Sequence, residues 1–159
     1  MGVNGKVDVR ALEEFKKNLQ KNLTGAQKEL FIESCSKELA ARLLAKVVKR
    51  TPVGDYPNES GKKGGTLRRG WTGQMSQGAT SFAGNLKVNH YGGVYVIEIV
   101  NPVEYASYVE FGHRTRNGGG IGWVEGKFML TISEEEVQRD APRILENKLK
   151  KKLGECFNL

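Results

Sequence analysis

The chain has few of the residues from which cross-linked or metal sites are built: two cysteines and two histidines among 159 residues. With no cysteine-rich framework, we expect Cys35 and Cys156 to be reduced thiols that pack as small hydrophobic side chains. His90 and His113 have no Cys, His or carboxylate partner at metal-ligand spacing, which argues against zinc. Both histidines are predicted to lie in exposed loops.

Motifs of nucleophilic catalysis and nucleotide binding are also missing. The chain has no Gly-x-Ser-x-Gly elbow, and the glycine-rich stretches Gly61–Gly65 and Gly118–Gly120 lack the spacing of a phosphate-binding loop. The acidic triplet Glu134–Glu136 is better explained as charge that favours a helix start than as a metal site. We therefore predict a protein that is not an enzyme, with no catalytic residues, metal or cofactor, although triads that form only in space stay open.

No apolar run approaches the roughly 20 residues of a membrane span, and the N-terminus lacks the core of a signal peptide, so we expect a soluble protein that does not bind membranes. A hydrophobic fraction of 38% together with 20 glycines predicts a moderate core with long loops, or a core completed by assembly. We predict a single domain, 1–159. It consists of a peripheral N-terminal helix (1–24), a core (25–153) and a tail (154–159).

Helical periodicity is clear in three segments. Val9–Leu23 carries one apolar stripe, and Gln27–Lys49 carries a wider stripe before Thr51-Pro52 ends the helix. The third helix is predicted over about Ser133–Leu153, with Pro142 kinking it or splitting it in two.

Between the helices the pattern favours strands and loops. Antiparallel strands are predicted at 69–76, 79–83, 86–90 and 94–100, the last two joined by a turn at His90–Gly93. Lys127–Leu130 is predicted to begin as a further strand. Long glycine-rich loops are predicted at 54–66 and 113–126. The fold class is therefore α+β, with a small antiparallel sheet of three to four strands packed against the long helix and the C-terminal helix.

The stretch VIEIVNPVEYASYVEFGHRTR, Val96–Arg116, is the most informative in the chain. An alternating strand meets Asn101-Pro102, and a short amphipathic helix, Glu104–Phe111, then ends at Gly112, a candidate left-handed cap. A packing or interface motif is predicted from the residues Tyr105, Tyr108, Val109, Phe111, Gly112, Trp71 and Trp123. Core packing is the default interpretation of these aromatic rings, and anchoring of a protein interface is the alternative.

The net charge of +7 arises entirely within the first 70 residues. The basic residues in or beside the two glycine-rich loops are Lys62, Lys63, Arg68, Arg69, Arg114 and Arg116. If the loops share one end of the domain, these side chains would form a positive rim. Such a rim would face DNA and bind its phosphates without preference for a base sequence. The alternative for each residue is an ordinary solvated surface charge.

Taken in order, several landmarks resemble the minor tail-component or neck family of tailed bacteriophages typified by gene product ten of phage Hong Kong 97. The pieces are Lys46–Val53 (KVVKRTPV), Thr66–Trp71 (TLRRGW), Val100–Asn101, Tyr105–Gly112 (YASYVEFG) and the helix from about Ser133. The resemblance covers about residues 25–153 and is most specific at Tyr105–Gly112. The longer GDYPNESGKKGG, His113 after the glycine and GIGWVEGKF depart from the family pattern, but only in loops.

The resemblance implies a structural virion protein of the head–tail junction, assembled in the host cytoplasm, in a phage, a prophage or a tail-like bacteriocin. Such subunits form rings of six copies between the head connector or head-closure protein and the tail terminator or tail tube protein. DNA would pass through the ring. Two alternatives stay open at this stage: a tail terminator ring that caps the tube, and a non-specific DNA-binding protein.

Overall fold

The computed structural model describes residues 17, 20–21, 23–73, 78–117 and 120–157, and from residue 23 onward the chain is α+β, as predicted. The helices are α1 (Gly25–Arg50), α2 (Thr66–Gly70), α3 (Ala79–Asn85), α4 (Ala106–Phe111) and α5 (Met129–Phe157). A single 3₁₀ turn covers Asn58–Ser60. The strands are β1 (Asn89–Tyr91), β2 (Val94–Val96), β3 (Gly112–Asn117) and β4 (Gly120–Glu125).

Helix α1 is the central element, as its apolar stripe predicts. At 26 residues it is about 39 Å long. Its Ala40, Leu44 and Val47 are buried, and α3 and α5 pack along it. The core cluster is completed by Leu67, Trp71, Ala83 and Met129. The predicted helix Val9–Leu23 lies for the most part outside the described residues; within it, Lys17, Gln20 and Lys21 are helical.

The end of α1 is fixed by Thr51, which is fully buried. Its hydroxyl donates to Val47 O at 2.6 Å and accepts from Trp71 Nε1 at 2.8 Å. Its carbonyl accepts from Nε and Nη2 of Arg68 at 3.1 and 2.7 Å. The residues that end α1 and the residues of α2 are therefore one hydrogen-bonded unit.

The strands predicted at 69–76 and 79–83 are wrong where the structure describes them. Residues 66–70 form α2, because Leu67 and Trp71 are one helical turn apart and can both enter the core. Residues 79–85 form α3, whose Ala79, Phe82 and Ala83 pack toward the core at helical spacing. Residues 74–77 lie outside the described part.

The strands form two separate antiparallel hairpins instead of one sheet of three to four strands. The predicted turn between β1 and β2 is confirmed: Gly92 and Gly93 have φ of +54° and +88°, which suits a two-residue hairpin loop. Of the predicted strand 94–100, only Val94–Val96 pairs with a neighbouring strand. The predicted loop 113–126 is wrong, because most of it forms β3 and β4.

Helix α5 begins at Met129, so the strand predicted at Lys127–Leu130 is wrong. The helix continues through Pro142 to Phe157, and the predicted split does not occur. Proline removes one hydrogen bond, to the carbonyl of Gln138, but both residues are exposed and water can satisfy that carbonyl. None of the described helices combines the length and apolar character needed to cross a lipid bilayer.

Ion pairs fasten α5 to α1. Glu136 accepts from Lys46 Nζ at 2.7 Å and from Arg50 Nη2 at 2.8 Å, and Lys148 Nζ lies 2.9 Å from Glu38 Oε2. The hydrogen bond from Lys46 holds the pKa of Glu136 below its ordinary value, and the bond from Lys148 does the same for Glu38. Because α5 begins at Met129, the acidic triplet lies in its second turn, and the predicted place at the helix start is wrong. One member of the triplet, Glu136, instead pairs across helices.

The lowered carboxylate pKa values predict acid sensitivity. A carboxyl group whose pKa is lower in the folded chain stabilises the fold above its unfolded pKa, here 4.5, and loses that effect as pH falls through the folded pKa. We expect the free energy of unfolding in urea to decline below about pH 4.5, and to decline less steeply in Glu136→Gln. The control is Glu135→Gln, an exposed neighbour with no ion pair in the described chain. Equal slopes for the Glu136 variant and wild type would contradict the assignment.

Candidate assembly surface

The central glutamate of YASYVEFG is buried and holds α4 against the start of α5. Glu110 is 5% exposed. Its Oε2 accepts from Leu130 N at 2.9 Å, and its Oε1 accepts from Thr131 N at 2.9 Å and from Thr131 Oγ1 at 2.8 Å. A carboxylate in this place satisfies free N–H groups of the first helical turn and opposes the positive end of the helix dipole. Sequence reasoning missed this role.

Gly112 and Gly126 allow the chain to pass closely beside this cap. Gly112 has φ +85° and ψ 170°, so it has the expected positive φ, but it opens β3 in an extended conformation and is not a left-handed cap. A Cβ on Gly112 would lie 2.5 Å from Val124 O, and one on Gly126 would overlap Glu110 O. The base of the hairpin β3–β4 therefore packs closely against the junction of α4 and α5.

Most aromatic rings of the predicted motif face outward. Val109 packs against the core and Trp71 is buried, as expected of packing residues. Tyr108 is 58% exposed, Phe111 62% and Trp123 59%, and Tyr105 is exposed as well. Core packing is therefore wrong for these four rings in the single subunit. The interface alternative for them stays a prediction.

The hairpin β3–β4 presents one face that combines arginine with large apolar side chains. Arg114 lies directly opposite Trp123, and Arg116 opposite Ile121, so all four share a face. We call these four residues the hairpin face. Ile121 is 77% exposed. In the described part of the chain neither arginine has an ion pair.

A second apolar surface is formed mainly by half-buried side chains. Helices α1 and α5 and the extended segment after β2 enclose an open groove of about 500 Å³. Its apolar lining includes Leu39, Leu43, Ile97, Ile99, Val137 and Ala141. We call this the α1–α5 groove; the sequence analysis did not predict it.

The structure divides the predicted basic residues among different roles. Lys62 and Lys63 are exposed in the loop after α1, and Lys62 Nζ lies 6.0 Å from the centre of the Tyr56 ring. Arg69 is exposed and donates to Gly64 O at 3.4 Å. Arg68 is half-buried and bound to Thr51 O, so its role is structural. Arg114 and Arg116 belong to the separate hairpin, and a common basic rim stays a prediction.

Loop 54–65 lies beside α4. Lys63, Tyr56 and Gly64 share a depression of about 240 Å³ with Tyr105 and Val109. The exposed tyrosine of the motif thus has the loop lysine as a neighbour. Apart from the 3₁₀ turn Asn58–Ser60, residues 54–65 have no regular secondary structure.

The predicted histidine positions are wrong in part. His90 is exposed but lies in β1, stacked on Tyr95 with ring centres 4.4 Å apart. His113 lies in β3, half-buried, 5.6 Å from the Tyr108 ring. Cys35 is a free thiol on α1 whose pKa is raised by burial. No group of three or more His, Cys, Asp or Glu side chains in the described residues is arranged to hold a metal ion.

A small α+β subunit with two different exposed apolar surfaces has the features of an assembly component. The family model described as "Bacteriophage HK97-gp10, putative tail-component" matches residues 13–112, which is more than half of the chain. The chain belongs to this HK97-gp10-like family and is a bacteriophage tail component, hence a virion protein. The match ends at Gly112, so β3, β4 and α5 lie beyond it. No curated protein and no solved structure gives a significant match.

Burial of the Glu110 cap gives a stability prediction. Glu110→Gln keeps the shape but removes the charge and one acceptor oxygen, so it should lower the free energy of unfolding by about 1–3 kcal/mol. The matched control Glu104→Gln changes an exposed glutamate just before α4 and should shift it by less than about 0.5 kcal/mol. Urea unfolding at neutral pH measures both. Equal, small effects would show that the Glu110 cap contributes little to stability.

Proposed function

We propose that this tail component forms a ring at the head–tail junction, between the head connector or head-closure protein and the tail terminator or tail tube. The observation that carries the proposal is the family membership combined with two exposed surfaces of different chemistry. A closed ring requires two unlike complementary patches on each subunit, so that the same contact repeats by rotation. The hairpin face and the α1–α5 groove are two such patches.

The proposed role is structural and needs no catalysis. Trp123, Tyr108 and Phe111 are large rings held at the surface, and rings of this kind are typical anchors of protein interfaces. A monomer in water gains nothing from exposing them, whereas an assembled subunit buries them. The outward half of YASYVEFG therefore supports assembly, and its buried glutamate supports the fold.

Loss of the protein from the phage distinguishes the neck role from the tail terminator role. A neck ring joins two finished parts, so a lysate that lacks it should contain filled heads and separate tails of normal length. A terminator stops growth of the tube, so its loss should give tails of uncontrolled length. Electron microscopy of the lysate distinguishes separate tails of normal length from overlong tails. Overlong tails would contradict the neck assignment, and supplying the wild-type protein from a plasmid is the control.

Contact with passing DNA is a secondary part of the proposal, favoured by the exposed Lys62 and Lys63, which have no ion pair in the described residues. The double variant Lys62→Ala/Lys63→Ala should assemble normally but package or eject DNA less efficiently, because it removes two phosphate partners. Arg68→Ala is unsuitable for this test, since Arg68 binds Thr51 O. The control is Lys150→Ala/Lys151→Ala, which removes the same charge from α5. Normal titres for the loop variant would rule out the DNA contact.

A further inference from the structure

The segment that follows β2 has no backbone partner among the described residues. Ile97–Val100 continues the line of β2, yet its N–H and C=O groups form no backbone hydrogen bond with any other described residue. Ile97 and Ile99 pack toward the core, whereas Glu98 and Val100 are exposed. A free extended edge of this kind can accept a strand from another chain.

The α1–α5 groove runs along this same edge. Ile97 and Ile99 line it together with Leu39, Leu43, Val137 and Ala141, so a strand added to the edge would also cover apolar side chains. Glu134 lies at the groove and is exposed, whereas Glu98 points to the opposite face of the segment from Ile97 and Ile99. Glu134 has no ion pair within the described residues. A partner that fits this surface is therefore extended, apolar and positively charged.

The hairpin face has that combination. Trp123 and Ile121 supply exposed apolar area, and Arg114 and Arg116 stand directly across the ladder from them. These arginines, like Glu134, lack an ion-pair partner in the described chain. Opposite charges arranged around an apolar centre give an interface its partner choice and register.

We infer that the β3–β4 hairpin of one copy docks on the α1–α5 groove of the next copy. It lays a strand along Ile97–Val100, Trp123 covers the apolar lining, and Arg114 and Arg116, on the same face of the hairpin as Trp123, face Glu134. The inference rests on the proposed ring and names its repeating contact. Because donor and acceptor surfaces differ, each copy uses both, and the contact is head-to-tail.

Charge reversal tests the pairing. Arg114→Glu/Arg116→Glu makes both surfaces acidic, and Glu134→Arg makes both basic. Each variant alone should associate with itself at least about tenfold more weakly than wild type, because like charges meet across the contact. An equimolar mixture should recover the wild-type oligomer, since opposite charges then meet at every contact. Sedimentation velocity over a concentration series measures this, with circular dichroism to establish that each variant is folded.

A matched control separates the contact from net charge. Lys28→Glu/Lys49→Glu changes the charge by the same amount as the hairpin variant but lies on exposed positions of α1 outside both surfaces, and it should associate like wild type. Hydrogen exchange provides a second measurement. The amides of Ile97–Val100 should exchange slowly in the wild-type oligomer and rapidly in either reversal variant, because a docked strand supplies their hydrogen-bond partners.

The outcomes separate this inference from the ring proposal. If both reversal variants keep the wild-type oligomer, the hairpin does not fill the groove, and residues 1–24 or another virion protein become the candidates; the ring itself would stand. If the wild type remains monomeric at every concentration and the amides stay unprotected, self-docking is wrong. The neck role is judged independently by the heads and tails in the lysate.

Discussion

The fold depends on the buried hydrogen bonds around Thr51. A threonine hydroxyl with no exposure must find partners, and here it links the last turn of α1 to the indole of Trp71. Arg68 satisfies the carbonyl of the same residue, and Leu67 O accepts from Asn101 Nδ2 at 2.8 Å. The Thr-Pro turn, the Leu-Arg-Arg-Gly-Trp helix and the Asn-Pro corner are therefore joined although up to 50 residues separate them. Gly70 is part of this unit, because a Cβ there would overlap Asn101 Oδ1. Asn101 Oδ1 also accepts from Val103 N, and Val103 O from Ala106 N, so the corner fixes the start of α4.

The sequence predicted the long helices and the family well, because both depend on local patterns. The stripe of α1 and the order of short motifs are readable along the chain. The strands predicted at 69–76 and 79–83 failed because glycine breaks the periodicity there, and the deciding fact is burial of Leu67, Trp71 and Ala83 against α1. Gly118–Gly120 predicts a loop where the hairpin β3–β4 lies, although Ile121 and Trp123 alternate with Gly122 and Val124 as a strand requires. The cap by Glu110 could not be predicted, because its partners lie 20 and 21 residues away.

The motif YASYVEFG connects folding with assembly. Its inward residues, Val109 and Glu110, fix the direction of α4, and its outward rings are then held in one orientation on the surface. A single helical turn can do both because positions one residue apart face about 100° away from each other. The motif is consequently more specific than a core helix, in which any apolar residue of suitable volume would serve.

Closure of the proposed ring requires a constant angle between the hairpin face and the α1–α5 groove. The hairpin begins at Gly112. Because Gly112 has no side chain, Val124 O and Gly126 N can approach it closely. The groove is bounded by α1 and α5, which Lys46, Arg50 and Glu136 hold together. Glu110 connects the two regions, since it belongs to the helix before the hairpin and caps the helix that forms one wall of the groove. A head-to-tail contact with a variable angle would produce open filaments, so the buried cap sets the geometry on which a closed ring depends.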